Sequence, residues 1–154
     1  MFRCATHRHV RKALDVTMKN IDFRFDKELP EDQVIALYTS LEWSSAEKPK
    51  ELLNALANSH SVISAWDGQK LIGLANSISD GYLVVYYPHL LVIPEYQGRG
   101  IGKTLVSMMK NKYREFHQQV LVADGKAIDF YKSCGFSRAG SCESLWIYEG
   151  NDHD

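Results

Sequence analysis

The chain of 154 residues is poor in cysteine and has no surplus of either charge, and each shortage closes off a class of function. Its three cysteines, Cys4, Cys134 and Cys142, are odd in number and lack CxxC spacing, which excludes a disulfide scaffold and a paired-cysteine metal ribbon. Cys134 stands before Gly135 and reads as packing at a helix end, because thiolate chemistry needs an electropositive neighbourhood that the sequence does not display. Cys4, His7 and His9 supply three donors with no fourth at a usual zinc spacing, so no metal is expected. A formal net charge of -1 leaves no electrostatic footprint for nucleic acid, and no apolar run approaches membrane-spanning length; neither partner is expected. The N-terminus lacks the uninterrupted apolar core of a signal peptide, so the expected compartment is the reducing cytoplasm. Repeats, low-complexity tracts and linkers are absent. The expectation is one domain over residues 1–154, with residues 1–20, basic and short of large apolar side chains, as an arm or added helix.

What is present is a clear alternation of elements. Ile21, Phe23 and Phe25 alternate with charged residues, the period of a half-buried strand. Pro30 opens a helical pattern through Val34, Ile35, Leu37, Tyr38 and Leu41, with Glu31 and Asp32 suited to its N-terminus. A loop carrying Trp43 and Pro49 follows, then a second helix with Leu52, Leu53 and Leu56. Asp67-Gly68 and Asp80-Gly81 are turn signals that divide residues 61–66, 70–78 and 82–93 into a three-strand antiparallel meander. Pro88 falls inside the last of these strands, where it donates no ladder hydrogen bond and marks an edge or a bulge. Ile101, Leu105, Met108, Met109, Tyr113 and Phe116 form one face of the next helix. A short strand at 120–123 leads to a helix capped by Asp124 and stopped at Gly135, and residues 137–139 and 144–148 are expected as final strands.

The richest segment is Gln97-Gly98-Arg99-Gly100-Ile101-Gly102-Lys103-Thr104, a strand-to-helix turn. Glycines on alternate positions let the backbone bend tightly, and the helix that follows offers unpaired N–H groups and the positive end of its dipole, so a phosphate is the expected ligand. The P-loop pattern fails, because only three residues separate Gly98 from Gly102-Lys103-Thr104 and Gln97 stands where its first glycine belongs. The dinucleotide fingerprint fails as well, since the spacing is GxGxG rather than GxGxxG. The pattern that fits is Q/R-x-x-G-x-G/A, met by Gln97, Gly100 and Gly102. A second segment, Ala127-Ile128-Asp129-Phe130-Tyr131-Lys132-Ser133-Cys134-Gly135-Phe136, has the form A-x-x-F-Y followed by G-F.

In both motifs, and in their order and separation, the chain resembles the GCN5-related N-acetyltransferases. The likeness covers residues 82–136 directly. It implies an α/β (α+β) fold with a mixed, mainly antiparallel central sheet flanked by helices, two strands splaying apart at the acetyl-CoA site. It further implies acetyl-CoA or CoA as cofactor, held by the backbone of Leu91, Val92 and Ile93, by Gln97, Gly98, Arg99, Gly100, Ile101, Gly102 and Lys103, and by Ala127, Phe130 and Tyr131. Tyr131 would lie near the thioester sulfur as general acid. Glu42 and Trp43 would touch the acceptor, although Trp43 reads equally well as packing between the first two helices. The acceptor is a small-molecule or peptide amine, amino sugar phosphates among the open choices, and a homodimer paired through the C-terminal strands is implied.

An alkylamine with a pKa of about 10.4 must lose a proton, at a cost of roughly 4 to 5 kcal/mol at pH 7, before it attacks a thioester. The central strand offers no acidic residue for this. His89 is one residue out of phase, and a bulge at Pro88 would turn it inward; Asp80, Glu42 and a water chain are the alternatives. The want of an obvious base keeps a second reading open, a CoA-binding sensor or interaction protein without turnover.

Overall fold

The computed structural model describes residues 20–148. The first 19 residues of the expected arm, the Cys4, His7 and His9 donors and the chain end at 151–154 lie outside them. Strand β1 (Ile21–Phe25) leads to helix α1 (Glu31–Ser40), which starts directly after Pro30 and buries Val34, Leu37 and Tyr38. A single 3₁₀ turn, Ser44–Glu47, occupies part of the expected loop, and α2 (Pro49–Asn58) begins with its proline in the first turn, where the missing N–H has no helical partner to lose. Strands β2 (Ser61–Asp67) and β3 (Lys70–Ser79) then form the hairpin expected at Asp67-Gly68, Gly68 taking the positive φ of 58° that the turn needs.

Six consecutive residues of β2, Ser61 to Trp66, are buried, so the sheet is covered on both faces. Neighbouring side chains of β3 identify the two coverings. Asn76 donates to Ser59 Oγ at the end of α2 (3.0 Å), whereas Ser77 bonds the Tyr113 hydroxyl (2.7 Å) at the end of α3 (Ile101–Lys112). Adjacent strand residues point to opposite faces, which sets α1 and α2 against one side and α3 against the other. The α3 face buries Ile101, Leu105, Met109 and Tyr113 as its spacing predicts, with Val106 buried in addition and Met108 and Phe116 only half-buried.

The expected third strand of the meander is two strands. β4 (Val84–Tyr86) and β5 (Leu90–Val92) both pair antiparallel with β3, but only β4 is also joined on its outer side, by β6 (Gln118–Val120) running parallel. The sheet order is β1-β2-β3-β4-β6 with β5 on β3 alone. β5 lies unusually close to β3, because a Cβ at Gly73 would stand 2.7 Å from the Leu91 carbonyl oxygen. Helix α4 (Gly125–Ser133) follows β6, with Asp124 extended at its N-cap position but making no side-chain cap bond.

Residues 137–148 contain no strand, against the two expected. Leu145 and Ile147 are almost wholly exposed and Trp146 stacks on Tyr148 at 4.9 Å. A short strand holds only where a sheet edge accepts it, and no ladder joins this segment to β6.

Candidate functional site

The site begins with a count of residues. Leu90 faces Ala75 and Tyr86 faces Ile78, so Tyr87, Pro88 and His89 stand opposite Asn76 and Ser77 alone. One residue too many makes a bulge, and it falls at the proline whose absent N–H costs the ladder nothing there. The bulge reverses the faces of the strand. Tyr87 turns toward Tyr113 of α3 (6.1 Å between ring centres), while His89 turns toward Tyr38 of α1. Asn76 holds the bulge in place, since its main-chain N–H donates to the His89 carbonyl (3.2 Å) and its buried side-chain oxygen accepts the His89 N–H (3.1 Å).

Beyond the bulge the outer edge of β5 pairs with no strand among the described residues and is open to that extent. The main-chain bonds of His89 and Ile93 to β3 fix the alternation, which assigns Leu91 to β3 and leaves Leu90 and Val92 facing outward. Of the three residues expected to offer backbone to a cofactor, Val92 is therefore the one on the open edge, and Leu90 joins it. Gln97 closes part of that edge by donating from Nε2 to the Val92 carbonyl (2.9 Å).

The glycine turn lies where the open edge meets α3. Gly98 and Gly100 have φ of 75° and 88°, and no atom lies within 4 Å of a Cβ built on either, so backbone conformation rather than crowding calls for glycine there. Gly100 caps α3 without a side-chain bond, and the first turn carries no acidic residue. The N–H groups of Ile101, Gly102 and Lys103 thus face an uncapped, positive helix end. Gly102 lets the helix approach closely, since its Cβ would touch Phe130 at 3.3 Å and Val92 at 3.8 Å. Arg99 stacks on Tyr96 (4.7 Å), whose hydroxyl bonds Asp67 (2.5 Å) and so ties the turn to the β2–β3 hairpin. Lys103 is exposed and, with Lys110 of the same helix, lines a second hollow bounded on the α4 side by Ser133 and Cys134.

A narrow, partly open cleft with room for about one water is lined by Leu90, Val106, Leu121, Tyr131 and Phe136, with His89 also on its wall. Tyr131 and His89, from motifs forty residues apart, thereby share one space. Ala127 and Phe130 are half-buried on α4 beside it. The Tyr131 ring packs edge-on against Phe130 (5.2 Å) and Phe136 (5.9 Å). Burial, with lesser contributions from Cys134 and Tyr86, pushes its hydroxyl up to about 12, so it stays protonated at neutral pH. Ser45 Oγ is the one buried side-chain nitrogen or oxygen without a partner among the described residues, so the Tyr131 hydroxyl, which bonds no described residue, keeps some exposure.

The groups considered as bases fare differently. Asp80 is engaged as a turn residue, one carboxylate oxygen accepting from the N–H groups of Tyr82 (2.8 Å), Leu83 (2.8 Å) and Val84 (3.1 Å), and these bonds hold its pKa below the ordinary value. Glu42 is exposed, at φ 56°. Trp43 packs edge-on against both Tyr38 (5.9 Å) and His89 (5.0 Å), so it forms part of the wall behind the histidine. Tyr38, read in the sequence only as a core residue, is wholly buried and lies 2.7 Å from His89 Nδ1. Burial depresses His89 to about 4.

That depression sets a pH dependence. Between about 4 and the unfolded value near 6.5 the unfolded chain binds the proton that folded His89 refuses, so stability is full above 6.5 and falls as pH drops through 4. From pH 7 to pH 5 the loss from this group is expected to be about 2 kcal/mol. Urea unfolding at the two pH values should show that loss in the wild type and a smaller one in His89→Gln; equal losses would mean that His89 is not desolvated.

Two sequence features could have marked the residues that were missed. Asn76 interrupts an otherwise apolar run, Leu71 to Ala75, and a polar residue at such a place needs a partner. Tyr38 stands on the buried stripe of α1, where its hydroxyl needs one too.

Comparison with known proteins adds a family. The profile described as the acetyltransferase (GNAT) family matches residues 26–136. A GCN5-related N-acetyltransferase 2, chloroplastic, of Arabidopsis thaliana is 40% identical over 70 residues, 44% of this chain and 27% of that protein, so the chain spans about a quarter of that relative's length. An uncharacterized N-acetyltransferase, ycf52, of Pyropia yezoensis is 30% identical over 136 residues, covering 80% of this chain and 76% of its own. Among solved structures, a GNAT family protein of Streptococcus pneumoniae superposes with a TM-score of 0.73 at 27% identity, covering 84% of this chain and 99% of that one.

Proposed function

The chain belongs to the acetyltransferase (GNAT) family, and from that premise we propose that it is a single-domain enzyme moving an acetyl group from acetyl-CoA directly to a primary amine. The observation that carries the reading is the cleft at the split in the sheet, with an uncapped glycine turn beside one end and the Tyr131 hydroxyl along its wall.

The residues present fit the cofactor. The positive-φ glycines Gly98 and Gly100 leave a backbone cradle clear of side chains, and the free N–H groups of Ile101, Gly102 and Lys103 with the cations of Arg99 and Lys103 suit a pyrophosphate. Leu90 and Val92 would pair with the amide-bearing arm along the open edge of β5, and Ala127 and Phe130 would flank it. Acetyl-CoA, when bound, supplies an acyl group activated as a thioester.

The rest of the chemistry falls to the chain. Tyr131 is the group that would meet the negative charge growing on the departing sulfur. Its proton is held tightly, at about 12 against roughly 8.5 for an ordinary thiol, so it acts by hydrogen-bond donation rather than by complete transfer. The apolar walls at Val106, Leu121 and Phe136 exclude water and so strengthen that bond. His89 lines the cleft with Trp43 packed behind it, and the exposed Glu42 next to Trp43 would be an acceptor contact. With Asp80 engaged in its turn, the amine proton leaves through water at the cleft mouth. That no carboxylate among the described residues lines the cleft favours one other reading, a CoA-binding protein without turnover.

Calorimetry with acetyl-CoA, followed by thiol release against a panel of amines that includes polyamines, amino sugar phosphates and peptide amino termini, tests the proposal. Binding with amine-dependent release is expected. Binding without release from any amine would favour the sensor, and no binding would remove both. The cytoplasmic location rests on cysteine usage and pairing of two copies on the exposed 144–148 segment, and both belong to the same proposal.

A further inference from the structure

We infer that Tyr38 locks His89 in the tautomer protonated at Nε2, so that His89 offers the cleft a hydrogen-bond donor and not a base. The inference deepens the acetyl-transfer reading and rests on it for its catalytic meaning.

Tyr38 lies on the buried stripe of α1 at 0% exposure, and its one hydrogen bond among the described residues is to His89 Nδ1 at 2.7 Å. A buried hydroxyl has a proton to place. If Nδ1 carried the hydrogen, the Tyr38 proton would be left without an acceptor, whereas an unprotonated Nδ1 satisfies it. Burial pushes the Tyr38 hydroxyl far above its ordinary value, so the phenol does not resolve the matter by ionising. The remaining hydrogen of a neutral imidazole then sits on Nε2.

The ring has little freedom to choose otherwise. Tyr38 and Trp43 meet it edge-on at 5.4 and 5.0 Å, and Asn76 bonds both the N–H and the carbonyl of the same residue. Asn76 is itself fixed through Ser59 Oγ, which donates to the Ala55 carbonyl of α2. His89 Nε2 bonds no described residue and is not among the buried unpartnered atoms, so it keeps some exposure, and His89 is one of the residues that line the cleft.

A histidine that serves as base needs the reverse arrangement: a bare Nε2 and an acceptor behind Nδ1 that welcomes the imidazolium. Here the group behind Nδ1 is a phenol, no carboxylate bonds the ring among the described residues, and burial opposes the charge. The donor form suits a different task, holding an oxygen of the acyl group or acceptor as it gains negative charge. The amine proton goes to water, which leaves the proton balance with solvent. Tyr38 is on this view a positioning residue, since it acts only through His89.

The test is the imidazole nitrogen spectrum of uniformly 15N-labelled protein at pH 7 without CoA, the His89 signals assigned by their loss in His89→Gln. An acceptor-type shift at Nδ1 with a protonated-type shift at Nε2 is expected. In Tyr38→Phe the same signals should move toward a mixture of tautomers, with kcat falling roughly tenfold and the KM for acetyl-CoA unchanged. A hydrogen on Nδ1 in the wild type, or an imidazolium, would overturn the inference, as would an unaltered tautomer in Tyr38→Phe. Because the tautomer is read without cofactor, these results stand whether or not acetyl transfer is found.

Discussion

Gly100→Glu is expected to weaken acetyl-CoA binding by at least about 100-fold, which is about 2.7 kcal/mol. Two effects add. Gly100 holds φ at 88°, a conformation that costs an ordinary L-residue roughly 1–2 kcal/mol, so a side chain drives the turn away from the shape in which its N–H groups converge. A carboxylate at the N-cap of α3 then occupies the positive helix end and repels the phosphates that would bind there. The same carboxylate favours the uncapped helix, by about 0.3–1 kcal/mol, and offsets part of the backbone strain. Affinity and stability therefore separate: calorimetry should show the loss while the melting temperature changes little. Gly100→Asn, uncharged and tolerant of positive φ, should retain most of the affinity. Unchanged binding in Gly100→Glu would show that the phosphates bind elsewhere.

This turn was legible in sequence because its signal is local. Spacing of Gln97, Gly100 and Gly102 specifies backbone shape within six residues, and Gly98 and Gly100 take the positive φ that glycine alone adopts easily. The β2–β3 hairpin and the buried stripe of α3 were legible for the same reason, since a two-residue turn and a 3.6-residue period are written in consecutive residues. The outcome at Pro88 was half legible. A proline within a strand pattern announces an interruption, but that β4 then pairs with β6 while β5 keeps a free edge depends on residues thirty positions away. The pairing of Tyr38 with His89 was not legible, because fifty-one residues separate them: a hydroxyl on the buried stripe of α1 and a histidine beside Pro88 each call for a partner, but nothing local says which. Expected strands at 144–148 failed for a related reason. Alternating apolar residues state a willingness to pair, and pairing also needs an edge that no local pattern supplies.

Tyr131→Phe is expected to lower kcat by roughly 10²–10³-fold, the usual loss when one donor to developing charge is removed from a water-excluded site. Acetyl-CoA affinity should stay within about threefold, because a hydrogen bond that strengthens only as the sulfur becomes anionic contributes little to ground-state binding. The substitution is structurally mild. The ring keeps its edge-on contacts with Phe130 and Phe136, and the hydroxyl it loses has no bond among the described residues to leave broken. A fall in turnover therefore cannot be assigned to misfolding if CoA binding and melting temperature hold. The pH profile distinguishes the manner of donation. Because burial pushes the Tyr131 hydroxyl up to about 12, the phenol remains protonated throughout the range in which acceptor amines lose their protons. The wild type should thus show no basic limb from Tyr131 below about pH 10, and the variant should be slower by a constant factor from pH 6 to 9. A deficit that shrinks toward low pH, as solvent protons replace the missing donor, would indicate complete proton transfer to the sulfur. Full activity of Tyr131→Phe at every pH would leave water as the proton donor to the leaving thiolate and reduce Tyr131 to a wall of the cleft.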